Sequence, residues 1–179
     1  MRVLITGITG FVGSHMAEYA LARGVQVIGS ARWRSKTENI EHLRSKITLI
    51  ESDLRDLSSV RTLVETAAPD YVAHLAAQSF VGVSWQAPAE TLTNNILSQV
   101  NLLEAIRALK MSPRFLAIGT SEEYGLTYPE ELPIKESKWV RPRWSQSGML
   151  QSPTISWNPT PPLQPLFGRG RVRGKGADV

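Results

Sequence analysis

Cysteine is absent from the 179 residues, which excludes a disulfide frame and a thiolate metal site and agrees with a reducing compartment. Histidine is scarce. His15, His42 and His74 stand far apart with no acidic cluster beside them, a pattern of surface or packed imidazoles, so no metal site is expected. Long hydrophobic runs are missing too: MRVLITGITG passes from one Arg into a short apolar run that glycine ends. That run is too short for a signal segment or a membrane span, and the chain is expected to be cytoplasmic, with no membrane partner. Acidic charge is nearly absent from one end. Residues 1–136 carry 13 basic and 15 acidic side chains, residues 137–179 carry 7 and 1, so the formal net charge of +4 belongs to the tail.

What is present is a regular alternation of apolar runs and helical periods. RVLIT (Arg2–Thr6), VQVIGS, KITLIES, DYVAHLAA and RFLAIGT read as strands, the first rich in β-branched residues, as in a strand buried on both faces. Between them the spacing predicts helices from Phe11 to Arg23, with Gly24 at a left-handed stop, and from Asp56 to Ala68, with Asp56 or Ser58 as cap. A third runs from Ala89 to Leu109, ahead of Pro113. Such a chain predicts an α/β fold: a Rossmann-type doubly wound parallel sheet, truncated, ordered 3-2-1-4-5, with an irregular C-terminal tail. Ligands in such sheets bind beyond the carboxyl ends of the strands where the winding reverses. GITGFVG, LAAQS and GTSEEYG therefore converge on one crevice.

TGITGFVG spaces Gly7, Gly10 and Gly13 three apart between a strand and a helix. Gly7 permits the tight turn, Gly10 lets backbone amides approach a pyrophosphate, and Gly13 lets the helix lie close, which together point to a dinucleotide. No acidic residue follows the second strand to accept from a ribose 2′-hydroxyl. GSARWRSK offers Arg32, Arg34 and Lys36 instead, and an Arg there pairs with a 2′-phosphate, favouring NADP over NAD. Asp53, past the third strand, either accepts from an adenine amino group or caps the next helix.

These segments, with SDLRD, HLAAQSFVGVSW, NNILSQVNLLEAIR, GTSEEYG and YPEELPIKE, resemble the extended short-chain dehydrogenases/reductases acting on nucleotide sugars. The likeness is to the GDP-mannose 4,6-dehydratase and GDP-4-keto-6-deoxymannose reductase branch, from Met1 to about Glu136. The resemblance implies that Gly7, Thr9, Gly10, Phe11, Val12 and Gly13 form the pyrophosphate loop. It further implies that Arg32 meets the 2′-phosphate, Asp53 and Leu54 the adenine, and Leu75, Ala76 and Ala77 the ribose side. Asn95 matches an asparagine that props the active site; the competing reading is a solvent-facing helical Asn. Ser79 and Ser84 fall where the branch meets its substrate, a nucleotide sugar of the GDP-mannose type.

Thr120 falls on the catalytic Ser/Thr and Glu122 on the acid/base carboxylate of the dehydratases. A 4,6-dehydratase oxidises the hexose at carbon 4, eliminates water across carbons 5 and 6, and returns the hydride to carbon 6. The resemblance gives Glu122 the carbon 5 proton and Thr120 a hydrogen bond to the oxygen at carbon 4. Glu123 is the weaker candidate, since adjacent residues on an extended segment face opposite ways. Phe11 and Val12 look more like the reductases, AAQSFVGVSW more like the dehydratases, and the balance favours a dehydratase. A reductase or another sugar-nucleotide epimerase is the alternative.

The family also uses Tyr-x-x-x-Lys, yet the residues four after Tyr19, Tyr71, Tyr124 and Tyr128 are Arg23, Leu75, Tyr128 and Leu132. From Ser137 onward the chain holds six of its eleven prolines and three of its five tryptophans, with no helical or strand period. The reading is therefore a coenzyme-binding domain over 1–136 and an irregular tail over 137–179, aberrant or disordered, as an out-of-frame terminus would produce. Poor turnover is expected. GRGRVRGKG resembles an arginine/glycine-rich nucleic-acid-binding tail, but its aromatic interleaving is poor and a disordered appendage is favoured. Full-length members of the family are expected to be homo-oligomers, and an uncovered fifth strand predicts self-association.

Overall fold

The computed structural model describes residues 1–120, 124, 125 and 127–138. Among these, β1 (Arg2–Thr6), β2 (Gln26–Ala31), β3 (Thr48–Glu51), β4 (Tyr71–His74) and β5 (Arg114–Ala117) form a parallel sheet in the order β3-β2-β1-β4-β5, as the sequence predicts. The helices are α1 (Phe11–Leu21), α2 (Leu57–Ala67), α3 (Val81–Gln86) and α4 (Pro88–Ala108), with 3₁₀ turns at Glu38–Leu43 and Pro129–Glu131. Val3 of β1 sits beside Val27 of β2 and Tyr71 of β4, and the winding reverses between β1 and β4.

Alternation along the strands builds two cores. Leu4, Ile28 and Val72 pack against α2 and α4 through Val60, Leu63, Val64 and Leu102. On the other face Val3, Ile5, Val27 and Ala73 pack against α1 and the first 3₁₀ turn through Ala17, Ala20, Ile40 and Leu43. Burial of each such Leu, Ile or Val side chain stabilises by about 1.5–3 kcal/mol, which explains why β1 is apolar at every position from Val3 to Ile5. In α2 the buried positions Val60, Leu63, Val64 and Ala67 recur at helical spacing, and Asp56 caps the helix by accepting from Ser58 N at 2.8 Å.

Two elements depart from expectation. No element is expected from the sequence at Val81–Gln86, where α3 forms. Its residues Val81, Val83 and Trp85, with Phe80 before it, are exposed, so no buried face imposes a helical period on that stretch. β5 ends at Ala117, before the expected Thr120, and forms an edge of the sheet with Leu116 and Ile118 exposed. No described helix is long and apolar enough to cross a membrane. Glu122, Glu123 and the tail from residue 139 onward, including GRGRVRGKG, lie outside the described residues.

Candidate functional site

The turn after β1 is shaped by close approach. Gly7 adopts φ +70°, and a Cβ there would lie 2.9 Å from both Cα and N of Ala76, on the segment after β4. At Gly13 a Cβ would lie 2.3 Å from the Gly7 carbonyl oxygen and 2.7 Å from Ile8 Cα, so the helix meets the loop with no room for a side chain. Gly10 N donates to Gly7 O at 3.0 Å and starts α1 in an extended conformation, with no side chain capping the helix. The first-turn N–H groups at Phe11, Val12 and Gly13 therefore have no intrahelical acceptor, the arrangement that suits an anion. Thr9 is half-buried, and its carbonyl accepts from Asn39 Nδ2 at 2.9 Å, which ties the loop to the 3₁₀ turn. Phe11 and Val12 are 73% and 61% exposed, with Phe11 edge-on to His15.

Beyond β2 the cations gather at two open grooves. One, of about 440 Å³, is lined by Arg32, Arg34, Ser35, Thr37, Arg44 and Glu51 among others. The second, of about 420 Å³, is lined by Arg32, Trp33, Arg34, Asp53, Arg55 and neighbouring serines. Arg34 stacks its guanidinium on Trp33, 4.1 Å from the ring centre, whereas Lys36 is exposed and lines neither groove. Asp53 is engaged by Arg55: Nη2 to Oδ2 at 2.8 Å, Nε to Oδ1 at 3.1 Å and the backbone N to Oδ1 at 3.0 Å. Hydrogen bonding from Arg55 holds the Asp53 carboxyl below its ordinary range. Helix capping, the competing role for Asp53, belongs to Asp56. Leu54 is buried, and its carbonyl accepts from Asn101 Nδ2 of α4 at 2.9 Å.

After β4, Leu75 and Ala76 are half-buried and Ala77 is exposed. Thr6 Oγ1 accepts from the amides of Leu75 at 3.2 Å and Ala76 at 3.3 Å, which joins this segment to the end of β1. Asn95 is not solvent-facing. Its Oδ1 accepts from Gln78 N at 2.7 Å and its Nδ2 donates to Gln78 O at 3.1 Å, clamping the residue before Ser79. Ser79 is exposed, while half-buried Ser84 donates to Val81 O at 2.7 Å within α3. Thr120 is half-buried beyond β5. Among the described residues no group of His, Cys, Asp or Glu is arranged to hold a metal.

The structure thus brings the glycine loop against Leu75 and Ala76, and Arg32 beside Asp53. Sequence reasoning missed Asn39, Arg44, Arg55, Ser98 and Asn101, and it read His74 only as a surface or packed residue. The available signals were local: Arg55 two residues from Asp53, and polar Ser98 and Asn101 on the buried face of α4. None of these signals names a partner.

A parallel sheet reversing its winding beside a glycine cradle defines a Rossmann-type α/β protein of the short-chain dehydrogenase/reductase kind. Solved structures agree: the UDP-glucose 4-epimerase of Thermus thermophilus in complex with NAD superposes with a TM-score of 0.69 at 34% identity, covering 79% of this chain and 45% of that one. The family model for GDP-mannose 4,6 dehydratase matches residues 4–147, and the chain belongs to that family. The match continues past Glu136, the expected end of the resemblance, to residue 147. The GDP-mannose 4,6-dehydratase of Vibrio cholerae is 37% identical over 153 residues, which cover 79% of this chain and 41% of that protein. GDP-mannose 4,6 dehydratase 2 of Caenorhabditis elegans is also 37% identical over 153 residues, covering 78% and 40%. The chain therefore spans about two fifths of the length of these curated relatives.

Proposed function

We propose that this chain is the coenzyme-binding part of a cytoplasmic GDP-mannose 4,6-dehydratase, that it binds NADP in preference to NAD, and that Thr120 and Glu122 serve the dehydration. The observation that carries the reading is the cradle at Gly7 and Gly13. Its backbone sits where any side chain would collide, and it closes on Leu75 and Ala76 beside an uncapped helix N-terminus. The donor set suits a dinucleotide. Amides of Phe11, Val12 and Gly13 would hold the pyrophosphate, with Thr9 and Gly10 shaping the turn. Arg32 would hold the 2′-phosphate, with Arg34 and Arg44 lining the same groove. Asp53 and Leu54 would flank the adenine, and Leu75, Ala76 and Ala77 the ribose.

When bound, the coenzyme would supply the hydride-accepting and hydride-returning chemistry that the dehydration needs. Thr120 would donate a hydrogen bond to the oxygen at carbon 4, whose charge changes during the transfer. Glu122 would take the proton from carbon 5, made acidic by the adjacent ketone. Ser79 and Ser84 would meet the nucleotide sugar, and Asn95 steadies Ser79 through Gln78. These 179 residues hold no Tyr-x-x-x-Lys pair to exchange the proton on the oxygen at carbon 4. Binding with little turnover is therefore expected, since loss of a general acid/base removes about 10²–10⁴ in rate. Calorimetric titration with NADP⁺ and NAD⁺, followed by incubation with GDP-mannose, tests the reading. Absence of binding heat with either coenzyme on folded protein refutes it, and brisk turnover of GDP-mannose refutes the expected loss of rate.

A further inference from the structure

The imidazole of His74 lies between two hydroxyls. Thr6 Oγ1 is 2.8 Å from Nδ1, and Ser98 Oγ is 3.4 Å from Nε2, with all three residues buried. The direction of every bond in this group follows from donor counting. A threonine hydroxyl has one hydrogen and two lone pairs. Both lone pairs of Thr6 Oγ1 face amides, those of Leu75 and Ala76, so its hydrogen goes to His74 Nδ1. The neutral ring then carries its hydrogen on Nε2 and donates to Ser98 Oγ, whose own hydrogen goes to Asn95 O at 3.2 Å. Asn95 in turn clamps both backbone groups of Gln78.

We propose that His74 is a positioning residue of the coenzyme site: held as the Nε2–H tautomer, it joins Thr6 to Ser98 and so fixes both ends of the Leu75–Gln78 segment relative to each other. Thr6 holds the start of that segment and the Asn95 turn of α4 holds its end. Only His74 connects the two supports by side-chain hydrogen bonds among the described residues. A second proton on Nδ1 would point at the hydroxyl hydrogen of Thr6 and reverse the chain of donors. Burial also disfavours the cation, in keeping with a ring pKa lowered to about 4.

The inference rests on the coenzyme-site reading, and the experiment separates the two. Long-range ¹H–¹⁵N correlation spectra of the full chain at neutral pH should show His74 protonated on Nε2 alone; an Nδ1–H or doubly protonated ring overturns the proposal, whether or not coenzyme binds. Amide hydrogen exchange is then compared in wild type, Ser98→Ala and His74→Phe. Exchange at Leu75, Ala76 and Gln78 should accelerate about tenfold or more with exchange at Leu4 and Ile5 unchanged, and coenzyme affinity should fall about tenfold. Unaltered exchange at those three amides overturns the proposal. Ser98→Ala removes a single oxygen and decides the matter should His74→Phe fail to fold. A wild-type chain that binds no coenzyme refutes the site reading alone.

Discussion

Acidification between pH 7.5 and pH 5 should weaken the fold through His74. In the folded chain burial lowers the imidazole pKa from 6.5 to about 4, while in the unfolded chain it titrates near 6.5. Between those values the unfolded chain binds more protons, so stability is intact above about pH 6.5 and is lost as pH falls towards 4. At 1.36 kcal/mol per pH unit the whole interval amounts to about 3 kcal/mol, of which about 2 kcal/mol is gone by pH 5. Asp53 and Glu104 also have lowered carboxyl pKa values, held down by Arg55 and Arg107. Their stabilisation is lost as pH falls below the ordinary carboxylate values of 3.8 and 4.5, beyond the pH 5 end of this experiment. The surface pairs of His15 and His42 with Glu18 are present in both wild type and His74→Asn, so the comparison between the two cancels them. With a denaturant slope of about 2 kcal/mol/M, the wild-type urea midpoint should drop about 1 M from pH 7.5 to pH 5. His74→Asn should start lower and fall less. Parallel pH profiles for the two proteins would refute the assignment of a buried neutral ring.

Other consequences are equally direct. Gly13→Ala places a methyl group 2.3 Å from the Gly7 carbonyl, so the loop and α1 must separate; a loss of about 2–4 kcal/mol is expected, and an unchanged melting temperature would contradict the packing. Asp56→Ala removes the cap of α2 and should cost about 1 kcal/mol by urea titration, whereas Asp53→Ala should leave helix capping untouched. Arg32→Ala should lower NADP⁺ affinity with little change for NAD⁺, and an equal effect on both would remove Arg32 from the 2′-phosphate site. The β5 edge, with exposed Leu116 and Ile118, should promote self-association at high protein concentration, which size-exclusion chromatography would show and a concentration-independent monomer would refute.

The sequence by itself determined the frame of this protein. Apolar runs at Arg2–Thr6 and in DYVAHLAA, separated by helical periods, require a parallel sheet covered on both faces, and right-handed crossovers leave few orders for five strands. The glycines at 7 and 13 were legible for the same reason: steric exclusion is written into the residue that lacks a side chain. What only the tertiary structure decided was which polar groups meet. Periodicity does not report what His74, Ser98 and Asn101 touch, because their partners lie 24 to 68 positions away, as with His74 and Thr6 or Asn101 and Leu54. The choice between Asp53 and Asp56 as helix cap turned on an Arg55 fork that spacing cannot resolve. Hydrophobic burial acts on every residue of a face and leaves a period, whereas a hydrogen bond acts on one pair and leaves none.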